Sequence, residues 1–197
     1  GRVVIVAGFQ GMSYKREITT LGRGGSDTTA LALAAALHAD SCEIYSDVEG
    51  VFSADPRLVN EAHLLDTMSY GSLESLARNG AKVLHADAVA WARRAGIQFS
   101  ARKTGSSAKG TLVSAAKHSG VQAVTSSDKR LWVAASTLTQ SPIQALVWAS
   151  HEGVLVNSEN LHEEAYGEAC STLSIVGEGL LDNAGLSEAF IDLCAPV

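Results

Sequence analysis

The fold is decided by Thr19-Thr20-Leu21-Gly22-Arg23-Gly24-Gly25-Ser26-Asp27-Thr28-Thr29, where a short strand-like segment runs into glycines and then opens a helix rich in Ala and Leu. Glycines let backbone N–H groups approach an oxygen-rich ligand closely, because they carry no Cβ. The start of a helix adds unpaired N–H donors and a partial positive charge. The stretch therefore predicts a site for an anionic small substrate beside phosphates.

Three polar side chains in this stretch have both a functional and a purely structural interpretation. Arg23 carries a planar guanidinium that suits a carboxylate or a phosphate, but it also fits a surface salt bridge. Asp27 supplies an anion that can orient a cation, or it only stabilises the positive end of the helix. Ser26 suits a ligand contact and a helix N-cap equally well.

Strands and helices alternate on both sides of this stretch. We predict strands at residues 2–8, 17–21, 41–46, 97–102 and 111–114, and helices at 26–39, 69–79 and 83–95. Elements of these lengths in alternation are typical of an α/β fold, with a mainly parallel sheet sandwiched by helices.

A second unit with a different order follows a linker at residues 115–120. We predict strands at 121–125, 131–136, 153–156 and 171–176, and helices at 141–150 and 184–193. The resulting β-α-β-β-α order stops where one more strand is expected. Residues 121–197 are therefore predicted to be an incomplete α+β unit.

Composition excludes several classes of function. The net charge is −6 over 197 residues, and no long run of one sign occurs, which argues against nonspecific binding to nucleic acid or to an anionic membrane surface. No apolar run approaches the roughly 20 residues of a membrane span. Cys42, Cys170 and Cys194 fit neither a zinc site nor a disulfide framework, so we expect reduced thiols in a cytoplasmic protein.

Five motifs occur in order within residues 1–114. They are residues 6–11 (Val-Ala-Gly-Phe-Gln-Gly), 19–29 (quoted above), 43–52 (Glu-Ile-Tyr-Ser-Asp-Val-Glu-Gly-Val-Phe), 55–57 (Asp-Pro-Arg) and 80–85 (Gly-Ala-Lys-Val-Leu-His). In this order they resemble the bacterial aspartate kinases, which belong to the amino-acid kinase family. The resemblance assigns residues 1–114 to the C-terminal, nucleotide-binding part of the kinase domain. Residues 121–197 resemble, more weakly, the ACT regulatory modules that follow that domain.

The resemblance implies an enzyme that transfers a phosphoryl group from ATP to the β-carboxylate of L-aspartate. The product is 4-phospho-L-aspartate, at the entry to lysine, threonine and methionine biosynthesis. Mg²⁺ is expected to be carried by ATP, and no residue of the chain is assigned as a metal ligand. The implied partners are L-aspartate, ATP, a second copy of the full-length parent in a dimer and an amino-acid effector.

The same resemblance implies the site residues. The catalytic residues would be Asp27 and Lys82. The substrate-binding residues would be Phe9, Arg23, Gly24, Gly25 and Ser26. The nucleotide-binding residues would be Ser46, Asp47, Phe52, Arg57, Lys82 and Val83.

Some of these residues depart from the family pattern or have a structural alternative. Ser46 stands where the family usually has Thr, and Phe52 stands where Tyr is common, which keeps a flat face for adenine and removes a phenol. His85 is followed by Ala86 instead of the usual Pro, which is expected to loosen the helix start without removing a catalytic group. The structural alternatives are a core side chain for Phe9, an exposed lysine for Lys82 and a loop arginine without a partner for Arg57.

The chain is also expected to be a piece of a longer protein. It opens at Gly1 with a strand already under way, and the family's upstream Lys-Phe-Gly-Gly phosphate loop is absent from it. We therefore expect this chain alone to be inactive or nearly so. Two other functions stay open: a kinase of the same family for another acid or a nucleotide, and a noncatalytic regulatory or scaffolding chain that binds an amino acid through its tail.

Overall fold

The structure is a computed structural model that describes residues 1–134, 146–149, 153–157 and 168–178, with side chains for residues 1–127 and 172–178. The chain divides into two compact units. One comprises Gly1–Thr125 together with Ile175–Val197, and the other is Ser126–Ser174. The assignment of residues 1–114 to a kinase-like domain and of residues 121–197 to an ACT-like region stays a prediction.

Up to residue 114, short strands and three helices follow one another in the first unit. In chain order they are β1 (Gln10–Met12), β2 (Ile18–Thr20), α1 (Gly25–Ala36), β3 (Glu43–Ser46), β4 (Thr67–Ser69), α2 (Tyr70–Arg78), α3 (Ala86–Ala95), β5 (Phe99–Lys103) and β6 (Thr111–Ser114).

Four of these strands form one sheet in the order β3-β5-β6-β4. Strands β3 and β5 are parallel, β4 and β6 are parallel, and β5 and β6 are antiparallel. With two of three pairings parallel and helices alongside, the predicted α/β fold is confirmed. Strands β3 and β5 end at the same edge of the sheet, at Ser46 and Lys103, and β4 and β6 begin there. We call this the carboxyl edge.

The core lies between this sheet and the helices. Its fully buried side chains come from all parts of the unit: Leu31 of α1, Met68 of β4, Leu73 of α2, Val89 of α3, and Phe99 and Val113 of β5 and β6. Burying side chains of this size contributes roughly 1.5–3 kcal/mol each.

Helix α2 begins as the sequence predicts. Ser69 is its N-cap, and the Ser69 hydroxyl accepts a hydrogen bond of 3.1 Å from the Ser72 N–H. Tyr70, Leu73 and Leu76 follow at helical spacing and are buried on one face, as expected for a helix that packs on a sheet. Helix α3 ends at Gly96 with φ +70°, but it begins at Ala86 and not at Val83, because the backbone of the N-cap His85 is extended.

The strand predicted at residues 2–8 does not form. Among the described residues no strand pairs with this segment, and the side chains of Val3 and Ile5 are 94% and 95% exposed. A β-branched sequence is stable as a central strand only with neighbouring strands, so the pattern alone misleads here. Between the two strands predicted at residues 2–8 and 17–21, residues 10–12 form β1, which pairs antiparallel with β2.

The remaining strands are β7 (Gly120–Ala134), β8 (Leu146–Ala149), β9 (Gly153–Asn157) and β10 (Glu168–Glu178), in the sheet order β10-β7-β9-β8. Strand β7 is continuous where two strands were predicted. The predicted helix at 141–150 is wrong at residues 146–149, which pair antiparallel with β9, so tertiary pairing overrides the local helix-start signal. The helix predicted at 184–193 lies outside the described residues.

Candidate functional site

The predicted substrate residues lie together around the start of α1. Phe9 is held there by two hydrogen bonds. Its N–H donates to the Thr29 hydroxyl at 3.3 Å, and its carbonyl accepts from the Leu21 N–H at 3.0 Å. The Phe9 ring lies over Gly25, where an added Cβ would be 2.9 Å from Cδ2 of the ring. Phe9 is 43% exposed, so it is not the core residue of the structural alternative.

Close steric contacts explain why glycine occupies positions 24 and 25. Gly24 is the N-cap of α1 with φ +73°, and a Cβ there would overlap Cβ of His85 and lie 2.8 Å from its Cγ. A Cβ on Gly25 would lie 2.7 Å from Leu21 Cβ. Real Cβ atoms do not approach so closely, so only glycine fits at either position. We call residues 22–27 the glycine turn.

Asp27, in the first turn of α1, is the ionisable group of the glycine turn that lies deepest. Burial raises the pKa of its carboxyl, and the neighbouring His85 and a hydrogen bond from Ser26 offset part of that rise. His85 therefore faces Asp27 as well as Gly24. The sequence analysis assigned His85 no role, although it closes the motif that contains Lys82.

Arg23 extends outward from the same turn. It is exposed, and within the described part of the chain no hydrogen bond or ion pair involves its side chain. The surface salt bridge of the structural alternative does not form to any described residue. Its guanidinium is therefore available to an anion that approaches the glycine turn.

Two of the predicted nucleotide residues lie at the carboxyl edge of the sheet. Ser46 ends β3, Asp47 follows it, and the Ser46 carbonyl accepts a hydrogen bond of 2.9 Å from Thr104. Phe52 forms an antiparallel bridge with Leu64, which lies in the same connection between β3 and β4. Ligands of open α/β sheets bind outside the carboxyl ends of strands, so this position suits a ligand.

Thr111, at the start of β6, fastens that loop to the sheet. Its buried hydroxyl accepts a hydrogen bond of 2.8 Å from the Val51 N–H and donates one of 2.6 Å to the Leu65 carbonyl. We call residues 47–66 the edge loop. Both ends of the edge loop are thus hydrogen-bonded to the Thr111 side chain. These two hydrogen bonds hold in place the loop that carries Phe52 and Arg57.

Arg57 is not the unpartnered loop arginine of the structural alternative. Its Nε and Nη2 groups donate to the Asp55 carboxylate at 3.0 and 2.6 Å. The pKa of Asp55 is lowered to about 2, first by these hydrogen bonds from the Arg57 side chain and then by the Arg57 backbone N–H. The charge of Lys82 adds the smallest contribution to this lowering of the Asp55 pKa.

Residues 82–85 connect the two groups of site residues, and we call them the linking segment. Lys82 at one end is exposed and acts on Asp55, whereas His85 at the other end contacts Gly24 and faces Asp27. Val83 between them is partly buried against the core, so its nucleotide contact stays a prediction. The structure thus places Gly24, a predicted substrate residue, against one end of this segment, and Lys82, a predicted nucleotide residue, is its other end.

Two structural features are absent from the described residues. No group of three or more His, Cys, Asp or Glu side chains there is placed to hold a metal ion. Among the same residues no helix combines the length and the apolar character that crossing a membrane requires. Cys42 is a partly buried free thiol, and burial and the neighbouring Glu43 raise its pKa.

Comparison with known proteins identifies the family. The model of the amino acid kinase family matches residues 1–100, which is half of the chain. This chain belongs to the amino acid kinase family. Within the family it is similar to the aspartokinase of Mycobacterium tuberculosis, with 56% identity over 114 residues, and to aspartokinase 2 of Bacillus subtilis, with 55% identity over 113 residues. The resemblance of the first half of the chain to the aspartate kinases is confirmed.

These alignments cover 57% of this chain and 27–28% of the relatives, so the chain corresponds to about a quarter of their length. A solved structure of Escherichia coli aspartokinase III, in complex with aspartate and ADP, shares the fold. Its TM-score is 0.72 at 22% identity, and the match covers 96% of this chain and 52% of that one.

Proposed function

We propose that this member of the amino acid kinase family carries the nucleotide site and part of the substrate site of an aspartate kinase. The reaction is transfer of the γ-phosphoryl group of ATP to the β-carboxylate of L-aspartate, which gives 4-phospho-L-aspartate and opens lysine, threonine and methionine biosynthesis. The observation that carries the proposal is the linking segment, which joins the glycine turn to the edge loop. The identity of over half with two aspartokinases supports the choice of substrate.

The glycine turn is proposed to bind aspartate. Gly24 and Gly25 carry no Cβ and let the ligand approach the backbone closely, although the Gly25 N–H itself donates to the Gly22 carbonyl at 3.0 Å. Ser26 adds a hydroxyl at the positive end of α1, where carboxylates are stabilised. Arg23 is exposed beside them and clamps a carboxylate with its planar fork. Phe9 closes the site on the side of Gly25.

The edge loop and the linking segment are proposed to bind ATP. Ser46 and Asp47 contact the nucleotide at the carboxyl edge, and Phe52 offers a flat face for adenine. Arg57 uses two of its donor groups on Asp55, and the guanidinium has further N–H donors for a phosphate oxygen. Lys82 lies beside this pair and reaches the transferred phosphate, with Val83 next to it.

Catalysis in this class depends on position and on neutralised charge, because the transferred phosphoryl group needs little covalent help. Asp27 is half-buried at the start of α1 and is proposed to orient a cationic side chain beside the transferring phosphate. No described cluster of side chains could cage a metal, so Mg²⁺ is proposed to arrive with ATP and to neutralise phosphate charge there.

The activity of the whole protein requires more than this chain. The family's Lys-Phe-Gly-Gly loop supplies a further phosphate-binding lysine, so we propose that the chain alone is inactive or nearly so. We also propose a cytoplasmic parent that dimerises through residues 121–197 and binds an amino-acid effector there. The fold match with aspartokinase III, which extends over 96% of this chain, supports a regulatory fold in the tail.

The experiment is an assay of aspartyl phosphate, trapped as the hydroxamate, with ATP and aspartate present. The chain is tested alone and with a separately produced N-terminal segment of an aspartokinase relative. We expect product only in the mixture, and the Lys82→Ala variant to reduce it by about 100-fold, the typical effect of removing one charge-stabilising donor. Lys15→Ala is the matched control, because Lys15 lies in the β1–β2 connection.

The outcomes separate the proposed function from its two rivals. Product from glutamate or a nucleoside monophosphate but not from aspartate would indicate another kinase of the family. No product in any mixture, together with no ATP binding, would contradict the kinase proposal and favour a regulatory chain.

A further inference from the structure

The side chain of His85 has a position that its place in the helix does not require. His85 is the N-cap of α3, yet its side chain makes no capping hydrogen bond to that helix. It instead lies against Gly24, so closely that the backbone there has no room for a Cβ. The side chain of His85 therefore contacts the start of α1 and not the backbone of its own helix.

His85 also meets the charged group of the glycine turn. It is close enough to Asp27 to act on its carboxyl electrostatically, while Nδ1 lies 3.9 Å from Asp87 Oδ2 on the other side. Asp87 is in turn 3.5 Å from Arg78 Nη2, which reaches Glu74 at 3.0 Å. The imidazole is therefore placed between the start of α1 and an ion-pair chain that leads to α2.

The short linking segment turns this contact into a constraint between two sites. From Lys82 to His85 the chain makes three steps and spans at most roughly 11 Å. One end acts on Asp55 of the edge loop and the other packs on Gly24. A displacement of His85 would thus change the distance between the nucleotide residues and the substrate residues.

We infer that His85 is a positioning residue that fixes the glycine turn against the linking segment and so aligns bound aspartate with the phosphate held by Lys82. This inference rests on the proposed function for its catalytic consequence. Its structural content, the dependence of the glycine turn on the His85 side chain, stands without it.

Two substitutions of graded size test the inference. The atoms that face Gly24 are Cβ, Cγ and Nδ1 of His85. His85→Ala removes Cγ and the nitrogen, whereas His85→Asn keeps a Cγ and polar δ atoms. We expect His85→Ala to shift the ¹⁵N–¹H amide signals of residues 24–27 in the isolated chain, and His85→Asn to restore most of the wild-type positions.

The kinetic arm uses the chain mixed with the N-terminal kinase segment. We expect His85→Ala to lower kcat/KM for aspartate by about 10- to 100-fold, since a misplacement near 1 Å has effects of this size, and to change KM for ATP by less than about twofold. His85→Asn should recover most of the loss. His38→Asn is the control, because His38 is exposed beyond the other end of α1.

The two arms fail independently. Unchanged amide signals at residues 24–27 in His85→Ala would overturn the inference whether or not the chain is a kinase. A rise in KM for ATP well above twofold would also overturn it, since it indicates general loosening of both sites. If the wild-type mixture makes no aspartyl phosphate, the proposed function fails, and the amide signals still decide the role of His85.

Discussion

The glycine turn and the edge loop carry the two halves of the candidate site, and they are supported by different physics. The edge loop is fastened to a sheet whose strands contain fully buried side chains such as Phe99 and Val113. The glycine turn follows a segment whose apolar side chains, among them Val3 and Ile18, are largely exposed. Hydrophobic burial therefore supports the predicted nucleotide residues, whereas close steric contacts with Leu21, Phe9 and His85 surround the predicted substrate residues Gly24 and Gly25.

The largest effect is expected in the core of the sheet to which the edge loop is fastened. Phe99 is 1% exposed, and Phe99→Ala should lower the free energy of unfolding by about 3–5 kcal/mol, because it removes buried surface and leaves a cavity. Ile5→Ala, at a position 95% exposed, should change it very little. Urea unfolding followed by circular dichroism measures both changes in the free energy of unfolding. Comparable losses in the two variants would show that the N-terminal segment contributes to stability as much as the core does.

Gly24→Ala tests whether steric contact defines the glycine turn. The substitution adds the cost of a positive φ, about 1–2 kcal/mol, to a clash with His85 of about 1–3 kcal/mol. Gly105 is the matched control, since its φ is +76° and an added Cβ there meets nothing within 4 Å. Gly105→Ala should show only the first cost in the same unfolding experiment. Equal losses at both positions would mean that His85 does not restrict the turn.

Thr111→Val tests whether the hydroxyl of Thr111 anchors the edge loop. The variant keeps the shape of the side chain and leaves the Val51 N–H and the Leu65 carbonyl without their buried partner. We expect Thr111→Val to lower the free energy of unfolding by about 1–3 kcal/mol. Thr111→Ser should keep most of the wild-type stability, because it keeps the hydroxyl. The unfolding midpoint measures this, and identical midpoints for the Val and Ser variants would remove Thr111 as the anchor.

The smallest effect concerns the Asp55–Arg57 pair. The folded-state pKa of Asp55 is lowered to about 2, so the pair stabilises the fold above the ordinary pKa near 4 and loses that stabilisation as pH falls toward 2. Both partners are partly exposed, which keeps the effect small. Asp55→Asn should therefore be slightly less stable than wild type at pH 6 and nearly equal at pH 2.5. A difference that grows as pH falls would contradict this assignment.

The sequence predicts best where local signals and packing agree. Helix α2 has a Ser cap and a regular apolar face, and strand β6 falls where it was predicted, at Thr111–Ser114. Prediction fails at residues 2–8 and 146–149, where the outcome depends on whether a neighbouring strand is present. The apolar pattern of residues 2–8 does not contain that information, and neither does the sequence Ser141-Pro142, which is typical of a helix start.

For the site, motifs locate residues but not their contacts. The glycine motif and the Asp-Pro-Arg motif indicated the residues that gather at α1 and in the edge loop. The motifs do not reveal that Arg57 pairs with Asp55 or that His85 packs on Gly24. His85 and Gly24 are about 60 residues apart in the sequence, and only the folded chain brings them together.

The central claim is that the glycine turn and the edge loop form one site through the linking segment. Titration of the ¹⁵N-labelled chain with Mg-ATP tests it most directly. The account predicts shifted amide signals at Ser46, Asp47, Phe52, Arg57 and Lys82, with a smaller change carried through His85 to Gly24. Shifts confined to other parts of the chain, or none at millimolar ATP, would contradict it.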